Sequence, residues 1–413
     1  MTQLPSPEHR SILGGFALAL AWLAMLLYAM PAPLIGDEAV HAPQIQLFLH
    51  GDFRVFDEWL TNVPGYHWLV TALLWPIGVD AIGWIRAVGG LFVLACLLVM
   101  YRIRQRLHPE DALRSTAQLF FLPVLLVYGW LAYTDVPALA FLLGALLATI
   151  LGRHKLSAVL LLGSMAMRQN QVLWAAFLAL YAAWPVLAAS GWQSWRQWRK
   201  LAVIGWPYLA CVAVFLGYWF WNGSISYSSA QAKAHPDLSW HVGNPFFLMV
   251  LAAMLFPFHM AAGWGRAIRR LRSGQGWLWL LVPLVVLFVY GWQFQVDHPY
   301  NRPMGVSLRN QWLQLVATDA WVRWGFGLAA AWASVGLLFA RYVVPQGWLW
   351  LPFSLLFVGA SWMIETRYTL VPFVLFLALR RPEAAWAERV TLAGWIVLSG
   401  WLAWNVFDLN FML

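Results

Sequence analysis

Apolar runs of about 17 to 25 residues recur along nearly the whole of this chain, and each is long enough to cross roughly 30 Å of hydrocarbon as a helix. Hydrocarbon offers no partner to a backbone N–H or C=O, so only helices and closed barrels span it. Continuous rather than alternating apolar runs predict helices. With 62% hydrophobic residues, 10% charged residues and a mean hydropathy of +0.65, the chain is read as an all-α polytopic membrane protein. Spans are expected near 12–30, 80–100, 116–132, 136–151, 156–167, 172–190, 201–221, 245–264, 277–294, 321–342, 345–363, 369–379 and 391–408. That is a bundle of about 12 to 14 transmembrane helices forming one domain over residues 1–413. No small-residue cleavage site follows the first run, so 12–30 reads as a retained helix, with a signal peptide as the lesser alternative.

The net charge of +9 does not point to nucleic acid, because the arginines lie in short clusters between apolar runs rather than in one patch with interleaved aromatics. They report topology instead. Arg10 and the stretches "RIRQRLHPEDALR", "GRHK", "WRQWRK", "GRAIRRLR", "ARYV" and "RRPEAAWAER" hold eighteen of the 26 Lys and Arg residues, and the positive-inside rule assigns that set to the cytoplasm. The opposite set carries nearly every stretch with chemical potential. Cys96 and Cys211 fall inside apolar runs and read as small hydrophobes. Most of the 30 tryptophans suit the headgroup belt.

The stretch "PLIGDEAVHAPQIQ" places Asp37 and Glu38 side by side just after the first span, in a loop over 31–79 that reads as helices lying along the interface. Such a pair can begin a helix, Asp37 as N-cap and Glu38 in the first turn. Held near the bilayer surface and shielded from bulk water, a carboxylate there is equally placed to act as general base toward a hydroxyl. Asp37 is the favoured base, with Glu38 as a second acid that orients substrate. His41, one turn on, is a candidate to orient the acid or touch substrate.

Asp135 in "AYTDVPAL" caps a helix before Val-Pro or joins the chemistry. In "SMAMRQNQVLW", the polar run Arg168, Gln169, Asn170 and Gln171 interrupts apolar sequence, which is costly unless it lines a cavity or finds partners. Phosphate is the natural partner for Arg168. Glu365 and Arg367 in "MIETRYTLVPF" form either a mutual ion pair or a phosphate clamp by Arg367, with Tyr368 as hydroxyl donor. Asp297, His298, Arg302 and Arg309 lie in a polar, proline-containing loop expected to cover the site or simply to be solvated. No HExxH, CxxC or paired-His spacing marks a metal, so no metal ligands are assigned and a divalent-ion requirement is left open. No glycine-rich phosphate loop follows a strand, which argues against a nucleotide held by a Rossmann or P-loop element. A lipid-linked donor fits a site at the membrane surface.

An Asp-Glu pair in the first external loop of a multi-helix membrane protein resembles the GT-C glycosyltransferases. The stretches "DEAVHAPQIQLFL", "DEWLTNVPGYH", "YTDVPALAFLL", "RQNQVLW", "WNGSIS" and "ETRYTLVPF" run in the order of one of their families, the dolichyl-phosphate-glucose α-1,2-glucosyltransferases, which add the terminal glucose to the lipid-linked oligosaccharide. The resemblance implies a GT-C-like bundle and inverting transfer of glucose from a polyprenyl phosphate. It puts the base in the Asp37 and Glu38 pair, and Arg168 and Arg367 near the donor phosphate. The partners implied are a lipid-phosphate sugar, a glycan acceptor that can be lipid-linked, and the bilayer. After "WN" the chain departs from the family's Gly-Asp-Lys-Ser-rich stretch, keeping Lys233 and His235 as loose counterparts. Its compactness and its richness in Trp, Ala, Leu and Arg suggest a bacterial inner-membrane protein facing the periplasm and using undecaprenyl phosphate, the alternative being the endoplasmic reticulum with a luminal site. A GT-C enzyme for another sugar or acceptor, or a transporter, are the rival readings.

Overall fold

The computed structural model describes residues 7–55, 58–190, 195–231, 235–237, 239–274, 276–301 and 310–411. Two compact units emerge, Met1–Gln171 with Ile396–Leu409, and Val172–Trp395 with Asn410–Leu413.

The first unit holds α1 (Pro7–Ala29), α2 (Glu38–Leu49), α3 (Gly65–Leu74), α4 (Ile82–Leu107), α5 (Ala112–Phe120), α6 (Pro123–Tyr128), α7 (Asp135–Ile150) and α8 (His154–Met167). The second holds α9 (Leu173–Ser190), α10 (Trp195–Asn222), α11 (Gly243–Leu255), α12 (Pro257–Arg272), α13 (Leu281–Gln293), α14 (Gln311–Thr318), α15 (Ala320–Leu338), α16 (Trp350–Gly359), α17 (Leu370–Leu379) and the start of α18 (Ala385–Phe407). Every hydropathy span meets one of these helices or a pair of them, so the protein is an all-α polytopic membrane protein as read from sequence.

The 12 to 14 expected crossings resolve less uniformly. Among the described residues five helices are long and apolar enough to cross a membrane, a sixth crossing forms if α11 and α12 are taken together, and four further apolar helices are shorter. Proline is the physical reason at two places. Pro257 removes an N–H and crowds the preceding turn, and the single span expected over 245–264 bends there by 99°. Pro123 opens α6 and splits the span expected over 116–132.

The loop over 31–79 contributes α2 and α3. Glu38, His41, Ile45 and Phe48 are buried along α2, the spacing of one helical face. Ala42 and Ile45 pack with Tyr66, Val70 and Leu74 of α3, Ile85 and Val88 of α4, and Ala132, Ala138 and Met167. The buried face of α2 that begins at Glu38 continues through Ala42 and Ile45 into this core.

Several tryptophans do more than sit in a headgroup belt. Trp22 donates its indole N–H to Gly90 O at 2.8 Å, Trp264 to Trp332 O at 2.8 Å, and Trp350 to Pro372 O at 2.5 Å. An apolar body with one donor suits a helix contact where the indole can reach a backbone carbonyl.

Candidate active site in the first unit and a polar cluster in the second

Gly36 carries a φ of +56°, a left-handed turn that glycine adopts without strain, and it swings the chain from α1 into α2. Asp37 occupies the N-cap position, where its carbonyl accepts from Val40 N and His41 N at 3.0 Å. Its side chain makes no capping bond, and the residue is half-buried. Its backbone N–H donates to Tyr133 Oη at 2.9 Å. The Asp37 carboxylate is therefore not spent on starting the helix, whereas its main chain is pinned.

Glu38 is fully buried and differently employed. Its Oε1 accepts from Arg86 Nε at 2.9 Å and from Ala132 N at 2.7 Å, and its Oε2 from Arg86 Nη2 at 2.5 Å and Ile35 N at 3.0 Å. Four donors meet the capacity of an ionised carboxylate. Arg86, also fully buried, donates in addition to Ala29 O at 2.9 Å, Ala32 O at 2.6 Å and Pro33 O at 2.6 Å. All five guanidinium hydrogens are thus used. Arg86 closes the carbonyl end of α1, which has no partner within its own helix, and grips the first turn of α2, so it fixes the segment that presents Asp37.

The four residues Ala132 to Asp135 join this arrangement to the other motifs. Ala132 and Tyr133 bind Glu38 and Asp37 as above, Thr134 Oγ1 accepts from Asn62 Nδ2 at 3.3 Å, and Asp135 Oδ1 accepts from Arg168 Nη1 at 2.5 Å. The immediate partner of Arg168 is thus a carboxylate, where the sequence suggested a phosphate. Both residues are over nine-tenths buried, and among the described residues Asp135 Oδ2 has no hydrogen-bond partner. Gln169 Nε2 donates to Thr61 O at 3.1 Å, while Asn170 Oδ1 and Gln171 Oε1 are buried without hydrogen-bond partners among the described residues. Gly65 makes the junction possible: a Cβ there would come within 2.2 Å of Ala166 O.

His41 meets a second histidine, its Nδ1 3.0 Å from His67 Nε2, with the rings of Tyr66 and Tyr133 packed edge-on at 6.1 and 6.2 Å. Burial, with the neighbouring His41 adding to it, holds the His67 pKa well below the usual histidine value, so His67 is neutral in the folded chain at pH 7. In the unfolded chain it protonates near pH 6.5. The folded state therefore binds fewer protons, and stability present above about pH 6.5 is lost as pH falls from there toward the folded pKa. The thermal unfolding midpoint in detergent should drop from pH 6.5 to pH 5, and less steeply in His67→Gln; equal slopes would remove His67 as the cause.

In the second unit, Glu365 Oε2 lies 2.8 Å from Arg367 Nη2, so the two form a mutual ion pair, and the Arg367 guanidinium sits 5.7 Å over the buried Tyr368 ring. Two asparagines the sequence reading passed over hold this segment. Asn244 Nδ2 donates to Ser361 O and Met363 O at 2.8 and 2.7 Å and its Oδ1 accepts from Glu365 N at 3.2 Å. Asn301 pairs with both the C=O and the N–H of Ile364, at 2.8 and 2.9 Å. An amide that pairs with main chain on both its edges works as a strand-like staple, and "GNPFF" offers only an isolated polar residue before an apolar run as a clue. Asp297 Oδ1 accepts from Trp362 Nε1 at 2.8 Å. His298 is buried, its ring 4.8 Å from that of Trp362 and 6.0 Å from that of His235. Lys233, Arg302 and Arg309 lie outside the described residues. Among the described residues no three His, Cys, Asp or Glu side chains are grouped to ligate a metal.

Arg86 was the larger omission from the sequence reading. Its signal was present: a lone arginine in "AIGWIRAVGGLF", inside a span, requires an acidic or carbonyl partner.

Residues 30–196 match the DIE2/ALG10 family. The chain is 25% identical over 401 residues to the human Dol-P-Glc:Glc(2)Man(9)GlcNAc(2)-PP-Dol alpha-1,2-glucosyltransferase, covering 82% of each protein. It is 26% identical over 431 residues to the Drosophila melanogaster protein of the same name, covering 91% of this chain and 92% of that one. A shorter match, 28% identical over 173 residues, joins it to the Arabidopsis thaliana protein of that name, with 37% of this chain and 33% of that one covered. No solved structure matches. The matched segment contains both the acidic pair and the residues that position it, and the chain is a distant relative of the DIE2/ALG10 family.

Proposed function

We propose that this chain is an inverting glucosyltransferase that moves glucose from a polyprenyl phosphate to a hydroxyl of a lipid-linked or surface glycan, forming an α-1,2 link. The observation that carries the reading is the division of labour in the acidic pair. Glu38 is saturated by four donors, while Asp37 keeps its side chain out of the helix cap on a backbone held by Tyr133. The human and fly relatives, named as alpha-1,2-glucosyltransferases that use Dol-P-Glc, support this reaction class.

In this scheme the acceptor hydroxyl oxygen attacks glucose C1 from the face opposite the phosphate. Its proton passes to the Asp37 carboxylate, the C1–O bond to phosphate breaks, and the electron pair leaves with the polyprenyl phosphate, so a β-linked donor gives an α-linked product. Glu38 serves to position Asp37 rather than to meet substrate. The positive charge that stabilises the departing phosphate is assigned to Arg168, oriented by Asp135, and to Arg367, oriented by Glu365 and backed by Tyr368. His41, Gln169, Asn170, Lys233, His235, Asp297, His298, Arg302 and Arg309 are assigned to substrate contact. The carrier is assigned as undecaprenyl phosphate in a bacterial inner membrane, with the site toward the periplasm, on the compact, Trp- and Arg-rich composition.

The test is a donor panel. The purified full chain, with a membrane lipid extract as acceptor, should transfer glucose from short-chain polyprenyl-phosphate glucose and not from UDP-glucose, and should leave polyprenyl-phosphate mannose unused. Consumption of the mannosyl donor would move the assignment to another sugar. Failure even to bind any lipid donor would overturn the enzyme reading and revive a transporter.

A further inference from the structure

The arginine-rich stretch "GRAIRRLR" serves above only to orient the chain. In the structure it builds a cavity of about 390 Å³ lined by Arg266, Arg269, Arg270, Ser273 and Phe339. Three arginines and a serine line it, and among the described residues no acidic side chain does. Glu383 accepts from Arg266 Nη1 at 2.8 Å through Oε1, while its Oε2 lies 3.6 Å from Arg341 Nη2. Arg266 Nε donates to Phe339 O at 2.6 Å, and its Nη2 is buried with no hydrogen-bond partner among the described residues. Arginine is thus in surplus around the cavity, and the Arg266 guanidinium is held in place by Phe339 O and Glu383.

The surroundings indicate the depth at which this cavity sits. Arg270 lies 6.0 Å over the Phe339 ring, which itself meets Trp279 edge-on at 5.3 Å. Trp277, Leu278, Leu280 and Leu281 beyond it are exposed. Tryptophan beside arginine at the end of an apolar helix marks headgroup level, and the exposed leucines offer a wall to acyl chains. A soluble anion would need the charge but not that wall.

We propose that this cavity binds the phosphate headgroup of an anionic phospholipid from the leaflet facing the arginine-rich end of the second unit, with Arg269 and Arg270 as the principal contacts and Arg266 as the fixed floor. Basic pockets beside membrane helices recognise such headgroups, each cation near the surface adding to the attraction.

The purified full chain in detergent is titrated with short-chain phosphatidylglycerol and, separately, with phosphatidylcholine of the same chain length, and bound lipid is counted by native mass spectrometry. Wild type should prefer the anionic lipid by about tenfold or more. Arg269→Gln/Arg270→Gln, at two exposed positions, should lose that preference to within about twofold, the size at which the two cations no longer contribute. Arg381→Gln/Arg389→Gln, which removes the same charge from exposed positions elsewhere in this unit, should keep it. Equal affinity of wild type for the two lipids, an unchanged Arg269→Gln/Arg270→Gln variant, or equal loss in the Arg381→Gln/Arg389→Gln control would each overturn the proposal. Displacement of the lipid by inorganic phosphate at matched concentration would also overturn it, reassigning the cavity to a soluble anion.

Discussion

Replacing Asp37 by asparagine should lower glucose transfer by about a thousandfold, within the range of 10² to 10⁴ that general-base catalysis contributes, while donor binding and the unfolding temperature stay near those of wild type. The amide keeps the shape of the side chain but cannot take the acceptor's proton. The folding expectation has an equally local origin: the Asp37 main chain holds the turn, its N–H bound to Tyr133 and its carbonyl to Val40 and His41, and asparagine keeps the size of the side chain and a hydrogen-bonding oxygen. The measurement is the initial rate from polyprenyl-phosphate glucose, alongside lipid-donor binding and thermal unfolding of the same preparation. A rate within about tenfold of wild type is too small a loss for a missing base and would move that role away from Asp37. A protein that no longer binds donor would point to Asp37 as a recognition residue instead.

The neighbouring acid behaves otherwise, and the sequence shows why that could not be read in advance. "DE" displays two equal carboxylates; only the tertiary structure brings Arg86, 48 residues on, against one of them. The membrane class was legible because span length is a local property, and so was the helix start at Glu38, because an acidic first turn and a following apolar face are local too. The breaks at Pro123 and Pro257 are readable in the same way once proline's missing N–H is given more weight than mean hydropathy. What stayed hidden was pairing at a distance. Arg168 looked like a cation awaiting phosphate because Asp135, its partner, lies 33 residues earlier, and Asn244 looked inert because its partners are carbonyls more than 100 residues away. Glu365 and Arg367, two apart, could be foreseen as a pair and are one.

Arg86→Met should be the most destabilising single change in the first unit's site. A long apolar side chain fills much of the space but leaves the Glu38 carboxylate buried with only the N–H groups of Ile35 and Ala132, and breaking a buried ion pair from one side costs about 3 to 5 kcal/mol. Ala32 O and Pro33 O lose this donor at the same time, and Ala29 O keeps only Ala32 N. Adding Glu38→Gln removes the stranded charge, and a buried pair replaced on both sides is often close to neutral, so the double variant should recover most of the unfolding temperature in detergent. Activity separates the two roles of the pair. If Glu38 only positions Asp37, the recovered double variant regains turnover in proportion to how well the turn from Ala29 to Glu38 re-forms, and its loss is shared between KM and kcat. A double variant as stable as wild type yet inactive by the same factor as Asp37→Asn would mean that Glu38 itself takes part in proton transfer, because the charge removed would then be one the reaction needs rather than one the fold needs.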